Sequence, residues 1–355
     1  MRRFLALSRG GVALGLSALL VLPGRAAADP EPLRGAVSEH VIVVSIDGLR
    51  PDAIAAFGAR TLGRLIGEGA YSLSASTILP SKTLPSHVSM LTGVPPESHG
   101  VTWNTDRTDE HGHVDVETIF ERAHEAGLHT AAFFSKSKFQ HLQKAGTLDY
   151  TQAPSGLSHW MATRTVGDAV TYLKHEEPNL LFVHIGEPDY AGHTVGWMSR
   201  VYGVAVRRAD AALGKLIEAA DDAFGVGEYT LIVTADHGGH GRNHGSEDVR
   251  DTTIPWIVWG EGVASGTKLG AGIRTMDTAA TAVWLLGLEP APDWIGRPVA
   301  TAFTSTARFA AAAATRLPVT AATPATPDLL LTPILAGTQP AEAPRAASTV
   351  AGGGS

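Results

Sequence analysis

Three short apolar runs, each leading to a carboxylate, constrain the fold of this chain more than any other feature. They are VIVVSID (41–47), LLFVHIGEPD (180–189) and TLIVTAD (230–236), which reach Asp47, Asp189 and Asp236. Unbroken apolar and β-branched residues suit strands covered on both faces, as in a parallel sheet, better than strands with one wet face. Strand-like runs at 40–46, 128–134, 180–185, 229–234 and 254–259 alternate with segments at 51–67, 116–126, 165–175, 200–220 and 277–286. Those segments carry apolar residues at three- and four-residue spacing. The alternation predicts one α/β domain over 38–303, a mostly parallel central sheet with helices on both faces. Ligands of such sheets gather at the carboxyl ends of the strands, where the three carboxylates fall.

Flanking segments read differently. Residues 1–28 begin with Arg2 and Arg3, continue through an apolar stretch at 11–22 and end in Ala26-Ala27-Ala28. This is the pattern of a secretory signal peptide cut near Ala28. Its apolar stretch is short of the roughly 20 residues that span a bilayer. The expectation is a secreted or periplasmic protein with no stable membrane span. From 304 to 355 Ala, Thr and Pro dominate, so a disordered tail is expected there. Four of the 28 Lys+Arg and none of the 35 Asp+Glu lie in 1–28, which leaves 24 against 35 and a net charge of −11. That balance disfavours a nucleic-acid polymer as substrate. The chain has no Cys, which excludes disulfides, a thiol nucleophile and a thiolate metal site.

The chemistry-bearing residues lie on or just after these runs. Asp47, in SIDGLRPD (45–52), is either a cation ligand at a strand end or the N-cap of the next helix. Thr83 lies in LPSKTLPSHVSMLTG (79–93), where Pro85 predicts a helix start. Its hydroxyl would then sit at a positive helix end, where an anion such as phosphate binds; alone, Thr83 reads equally as a simple cap. Asp189 and His193 are four apart, so one helical turn puts both on one face. Asp236-His237 precede a glycine-rich stretch in which His240 and His244 both compete to complete the set. Any one His is most simply a surface or satisfied polar residue. Three Asp and three His tied to strand ends instead make a site for hard or borderline cations. Lys136 and Lys138, one residue apart, are either a pair of anion contacts or two solvated cations, and Lys82 poses the same choice beside Thr83.

The segments SIDGLRPD, LPSKTLPSHVSMLTGVPPESHGVTWN (79–104), EPDYAGH (187–193) and TADHGGHGRNHG (234–245) resemble, in this order, the alkaline-phosphatase superfamily. Within it they are most similar to the type I phosphodiesterase/nucleotide pyrophosphatase group, over residues 40–300. The resemblance extends to Asp277-Thr278, Leu286-Gly287-Leu288 and Gly296-Arg297 near the end. It implies that Asp47, Thr83, Asp236 and His237 hold one zinc ion, and that Asp189, His193 and His244 hold another, with His240 as the competitor. The short gap between His237 and His244 departs from nucleotide pyrophosphatases. Asn104 matches the family's contact to a phosphoryl oxygen, and Lys136 and Lys138 resemble substrate-anion positions of phosphonoacetate hydrolases and monoesterase-type members.

The expected function is therefore hydrolysis of a small-molecule phosphodiester or nucleotide pyrophosphate by two divalent ions, zinc first among them, through a phospho-threonine on Thr83. Phosphate monoesters and phosphonates are the rival substrates. A metal-binding protein that has lost catalysis is the rival outside enzymes. A sulfatase reading fails because the nucleophile segment has no Cys and no matching Arg.

Overall fold

Val41–Ile46 is buried along its whole length and lies in the interior of the sheet, as its apolar run requires. The computed structural model describes residues 35–154 and 160–307. The expected signal peptide at 1–28 and positions 308–355 of the expected tail lie outside the described residues.

Eight strands form one sheet among the described residues. They are β1 (Val41–Ile46), β2 (Ala70–Ser76), β3 (Thr130–Phe133), β4 (Tyr150–Gln152), β5 (Leu180–Ile185), β6 (Thr230–Thr234), β7 (Thr253–Gly260) and β8 (Thr267–Lys268). Their order is β4-β3-β5-β1-β6-β7-β2-β8. The five strands from β4 to β6 are mutually parallel. Helices Arg60–Glu68, Ala162–Leu173 and Arg200–Phe224 pack together as one layer, and Thr83–Thr92, Ile119–Glu125 and Asp277–Leu285 as the other. The expected class, a mostly parallel sheet with helices on both faces, holds.

Adjacency in this order positions the site. β1 lies between β5 and β6, with Ile46 level with Ile185 and Ser45 level with Thr234. The three carboxylates of the apolar runs therefore emerge side by side at one edge.

Several details differ from the sequence expectation. β7 runs antiparallel to both β6 and β2, because the chain between β6 and β7 forms a glycine-rich loop instead of a crossover helix. β2, β4 and β8 were not expected: β2, AYSLSAS, interleaves Ser with apolar residues, and β4 and β8 are three and two residues long. The segment 51–67 splits into Pro51–Ala56 and Arg60–Glu68 around Gly58, whose φ of 64° breaks the helix. No helix among the described residues is long and apolar enough to cross a membrane.

Phe182 on β5 is fully buried and packs against Phe134 and Phe120, with ring centroids 5.4 and 6.3 Å away. Phe182→Ala should lower stability by about 3–5 kcal/mol in urea unfolding. A loss below about 1 kcal/mol would mean that β5 is not the packed centre described here.

Candidate metal centre

Asp47 directly follows β1, Asp236 follows β6 after one residue, and Asp189 sits in the first turn of the helix Glu187–Val195 that follows β5. All three are almost fully buried. Gly48 allows this approach: its φ is 71°, and a Cβ there would stand 3.0 Å from the Asp189 Cα. The Gly48 N–H donates to Asp236 Oδ1 at 3.1 Å. Asp47 does not cap the next helix, whose N-cap is Arg50.

The most informative atoms are those with nothing to bind. Asp47 Oδ1, Asp189 Oδ1 and Asp236 Oδ2 are all buried without a hydrogen-bond partner. Burial of an unpaired carboxylate oxygen is costly, and three at one point call for compensation by a cation or a proton.

The imidazoles are held as ligands would be. His237 Nδ1 donates to the Gly238 carbonyl at 2.8 Å, which leaves the Nε2 lone pair facing Asp236 Oδ2 at 3.2 Å, Asp47 Oδ1 at 3.4 Å and the Thr83 hydroxyl at 3.3 Å. His193 Nδ1 donates to the Arg242 carbonyl and His244 Nδ1 to the Ser81 carbonyl. Their Nε2 atoms then face each other at 3.1 Å, and Asp189 Oδ1 at 3.4 and 3.7 Å. Neutral rings in these tautomers have no proton to place between those atoms. A backbone carbonyl that fixes the ring and frees the other nitrogen is the usual outer support of a metal-ligating His. Two groups with metal-ligand spacing result, Asp47/Asp189/His237 and Asp189/His193/His244. Asp189 belongs to both. The donor set, carboxylates and neutral imidazoles, fits a pair of divalent ions.

His240 lies elsewhere. Its Nδ1 bonds the buried Asp251 carboxylate at 2.6 Å. Asp251 also accepts from Ser246 N and Oγ, so His240 and Asp251 pin the loop that delivers His244. The His244 ring stacks on His237 at 3.6 Å between centroids. Trp197 wedges beneath: its indole donates to the Gly48 carbonyl at 2.9 Å and fills the space where any side chain on Gly239 would stand, 2.2 Å from a Cβ.

Thr83 is buried and is the first residue of Thr83–Thr92, so this helix begins two residues before the expected start at Pro85. The Lys82 side chain makes no cap. Instead Asn104 Oδ1 accepts from Leu84 N–H at 2.9 Å and from Lys138 Nζ at 3.1 Å, which leaves the Asn104 amide N–H₂ as an available donor. The stem of Lys82 passes Gly245. Lys136 and Lys138, expected as a pair, separate: Lys136 Nζ bonds Asp47 Oδ2 and, at 2.7 Å, Asp189 Oδ2.

Charge follows this layout. Burial works against ionised Asp47, yet Lys136 and His184 hold its carboxyl well below the usual range. Asp236, equally buried and beside Asp47, is pushed well up. Burial, helped by the neighbouring His244, takes His237 down to about 3. Burial and then Lys136 lower Lys138 to about 8.

Sequence reasoning missed a supporting layer. His184, inside the apolar β5, donates from Nε2 to Asp47 Oδ2 at 3.0 Å and accepts at Nδ1 from Ser135 Oγ at 2.6 Å. His87, one helical turn after Thr83, donates from Nδ1 to the Thr83 carbonyl at 2.7 Å and accepts at Nε2 from Ser45 Oγ at 2.8 Å. An imidazole in a doubly covered strand was the available signal for His184, because a buried ring demands partners. A hollow of about 600 Å³ lined by Val170, Lys174, Lys215 and Asp222 opens at the amino ends of the strands, away from this chemistry.

The family model for type I phosphodiesterase/nucleotide pyrophosphatase matches residues 41–250, more than half of the chain and every residue of the cluster. Ectonucleotide pyrophosphatase/phosphodiesterase family member 1 of Mus musculus is 24% identical over 234 residues, covering 57% of this chain and 24% of that protein. GPI ethanolamine phosphate transferase 1 of Aspergillus oryzae is 24% identical over 226 residues, covering 57% and 21%. This chain thus spans about a quarter of the length of these curated relatives. Among solved structures, an inactive variant of murine ectonucleotide pyrophosphatase/phosphodiesterase 5 in complex with AMP superposes with a TM-score of 0.62 at 18% identity. The match covers 72% of this chain and 96% of that one, a likeness of fold.

Asp236 binds its proton more tightly folded than unfolded, so it contributes a loss of stability to metal-free protein as pH rises from about 4 through the raised value. In excess chelator, wild-type protein should lose more thermal stability between about pH 5 and about pH 8 than Asp236→Asn. Parallel melting curves for the two proteins would contradict the crowding of carboxylates described here.

Proposed function

Because the chain belongs to the type I phosphodiesterase/nucleotide pyrophosphatase family, we propose that it hydrolyses a phosphodiester or nucleotide pyrophosphate through a phospho-threonine on Thr83. The observation that carries this reading is the set of buried, unpaired oxygens on Asp47, Asp189 and Asp236 beside the Thr83 hydroxyl. Asp47, Asp236, His237 and Thr83 would hold one divalent ion, and Asp189, His193 and His244 a second, with zinc as the first candidate. Bound there, the ions would supply the Lewis acidity that lets a threonine hydroxyl ionise at neutral pH and would neutralise charge at the reacting phosphoryl group.

The remaining work falls to the chain itself. Thr83 Oγ1 gives up its proton and attacks phosphorus, the bond to the leaving oxygen breaks on the opposite side and that oxygen takes up a proton, and water then attacks the phospho-threonine, releasing the phosphoryl product and restoring the hydroxyl. The amide of Asn104, anchored through its own oxygen, donates to charge developing on the phosphoryl oxygens. The start of Thr83–Thr92 adds the field of a helix N-terminus. Lys82, which has no ion-pair partner among the described residues, is the candidate contact for the rest of an anionic substrate. The AMP bound to the murine structural relative is in keeping with a nucleotide-sized substrate. The leader-like residues 1–28 place the reaction outside the cytoplasm in this reading.

A monoester substrate is the second reading, favoured by the ammonium of Lys138 on Asn104, which would offset the extra charge of a monoester. Parallel kcat/KM values on bis-p-nitrophenyl phosphate and p-nitrophenyl phosphate discriminate, the first reading requiring the diester to be preferred. Thr83→Ala should lower turnover of the preferred ester by at least about a thousandfold while zinc still raises the melting temperature. Activity within about tenfold of wild type would end the phospho-threonine mechanism.

A further inference from the structure

Lys136 and Lys138 stand one residue apart after β3, yet their ammonium groups do different things. Lys138 reaches Asn104. Lys136 Nζ donates to Oδ2 of Asp47 and Oδ2 of Asp189, one at the end of β1 and the other on the helix after β5. The opposite oxygens of the same two carboxylates, both Oδ1, are buried and unpaired and face His237, His193 and His244. Lys136 thus holds the outer oxygen of each carboxylate and leaves its inner oxygen turned to the imidazoles. Its side chain is 19% exposed, and two of its three N–H directions are taken.

A charge count shows what this achieves. Three carboxylates converge here, the imidazoles on them are neutral at the tautomers described, and Lys136 is the cation that touches two of the three. Without it, metal-free protein would hold Asp47 and Asp189 as two dry anions beside the buried Asp236 carboxyl. Loaded with two divalent ions, the same centre would already be overcompensated, and a nearby ammonium would repel those ions.

We propose that Lys136 is an internal counter-ion that lets the centre fold before any divalent ion binds, and that it is not a substrate contact. This rests on the reading of the cluster as a metal centre. Removing the ammonium harms metal-free protein more than loaded protein, and by the same thermodynamic cycle the variant binds the ion more tightly.

The test compares melting temperatures of the full chain in excess chelator and in excess zinc, for wild type, Lys136→Met, Lys136→Arg and the double variant Lys136→Met with Asp189→Asn. Chelated Lys136→Met should melt about 10 °C or more below chelated wild type. Its loss in zinc should be less than half of that, and zinc should bind at least about tenfold tighter in competition with a chromogenic chelator. Lys136→Arg should stay near wild type. The double variant should recover much of the loss in chelator, because a neutral Asn needs no counter-ion; recovery of a single variant only with zinc, alongside a double variant that folds without it, gives the same support. Equal losses in chelator and in zinc overturn the proposal, as does unchanged chelated stability with a raised KM for the diester. Wild type that gains nothing from zinc overturns the metal-centre reading itself, and this inference with it.

Discussion

Carboxylates that adjacent parallel strands deliver to one dry edge repel one another, and that repulsion organises the rest of this protein. Two like charges about 4 Å apart cost about 4 kcal/mol even at an effective dielectric near 20, against a net stability of about 5–15 kcal/mol for a domain. The neighbourhood of β5, β1 and β6 makes Asp189, Asp47 and Asp236 meet. Compensation is therefore built at three levels: an ammonium on Lys136, backbone and imidazole donors on the outer oxygens, and neutral nitrogens facing the inner ones.

The support is distributed over segments far apart in the chain. His184 on β5, itself bonded by Ser135, and Lys136 from the segment after β3 hold Asp47. Trp197 and Tyr202 both donate to the Gly48 carbonyl and so fix the turn after β1. Asp251 pins the loop through His240, and the Ser81 carbonyl aligns His244, which joins the loop after β6 to the segment that carries Thr83. Removal of one of these supports would disturb the geometry of the cluster without touching any of its proposed ligands.

Much of the fold was legible because a buried parallel strand leaves an unmistakable run of apolar residues, and β1, β5 and β6 are such strands. The carboxylates were legible because they stop those runs. Less visible were β2, whose serines interrupt the apolar pattern, and the antiparallel β7, whose direction depends on a loop spent on the site. His240 and His244 could not be ranked from spacing alone; the partner that separates them, Asp251, comes seven residues after His244. Lys136 and Lys138 looked alike in sequence, and only their three-dimensional partners distinguish a carboxylate counter-ion from a neighbour of Asn104. His184 lies inside an apolar strand and His87 inside the helix that begins at Thr83, and neither position by itself signals a support for Asp47 or Thr83.

Elemental analysis of the purified chain after dialysis reads the metal content directly. A two-ion centre at these residues predicts two divalent ions per chain in wild type and at most one in Asp189→Asn, whose carboxylate serves both groups. Wild-type protein that holds no divalent ion, yet hydrolyses a phosphodiester at full rate in excess chelator, would contradict it.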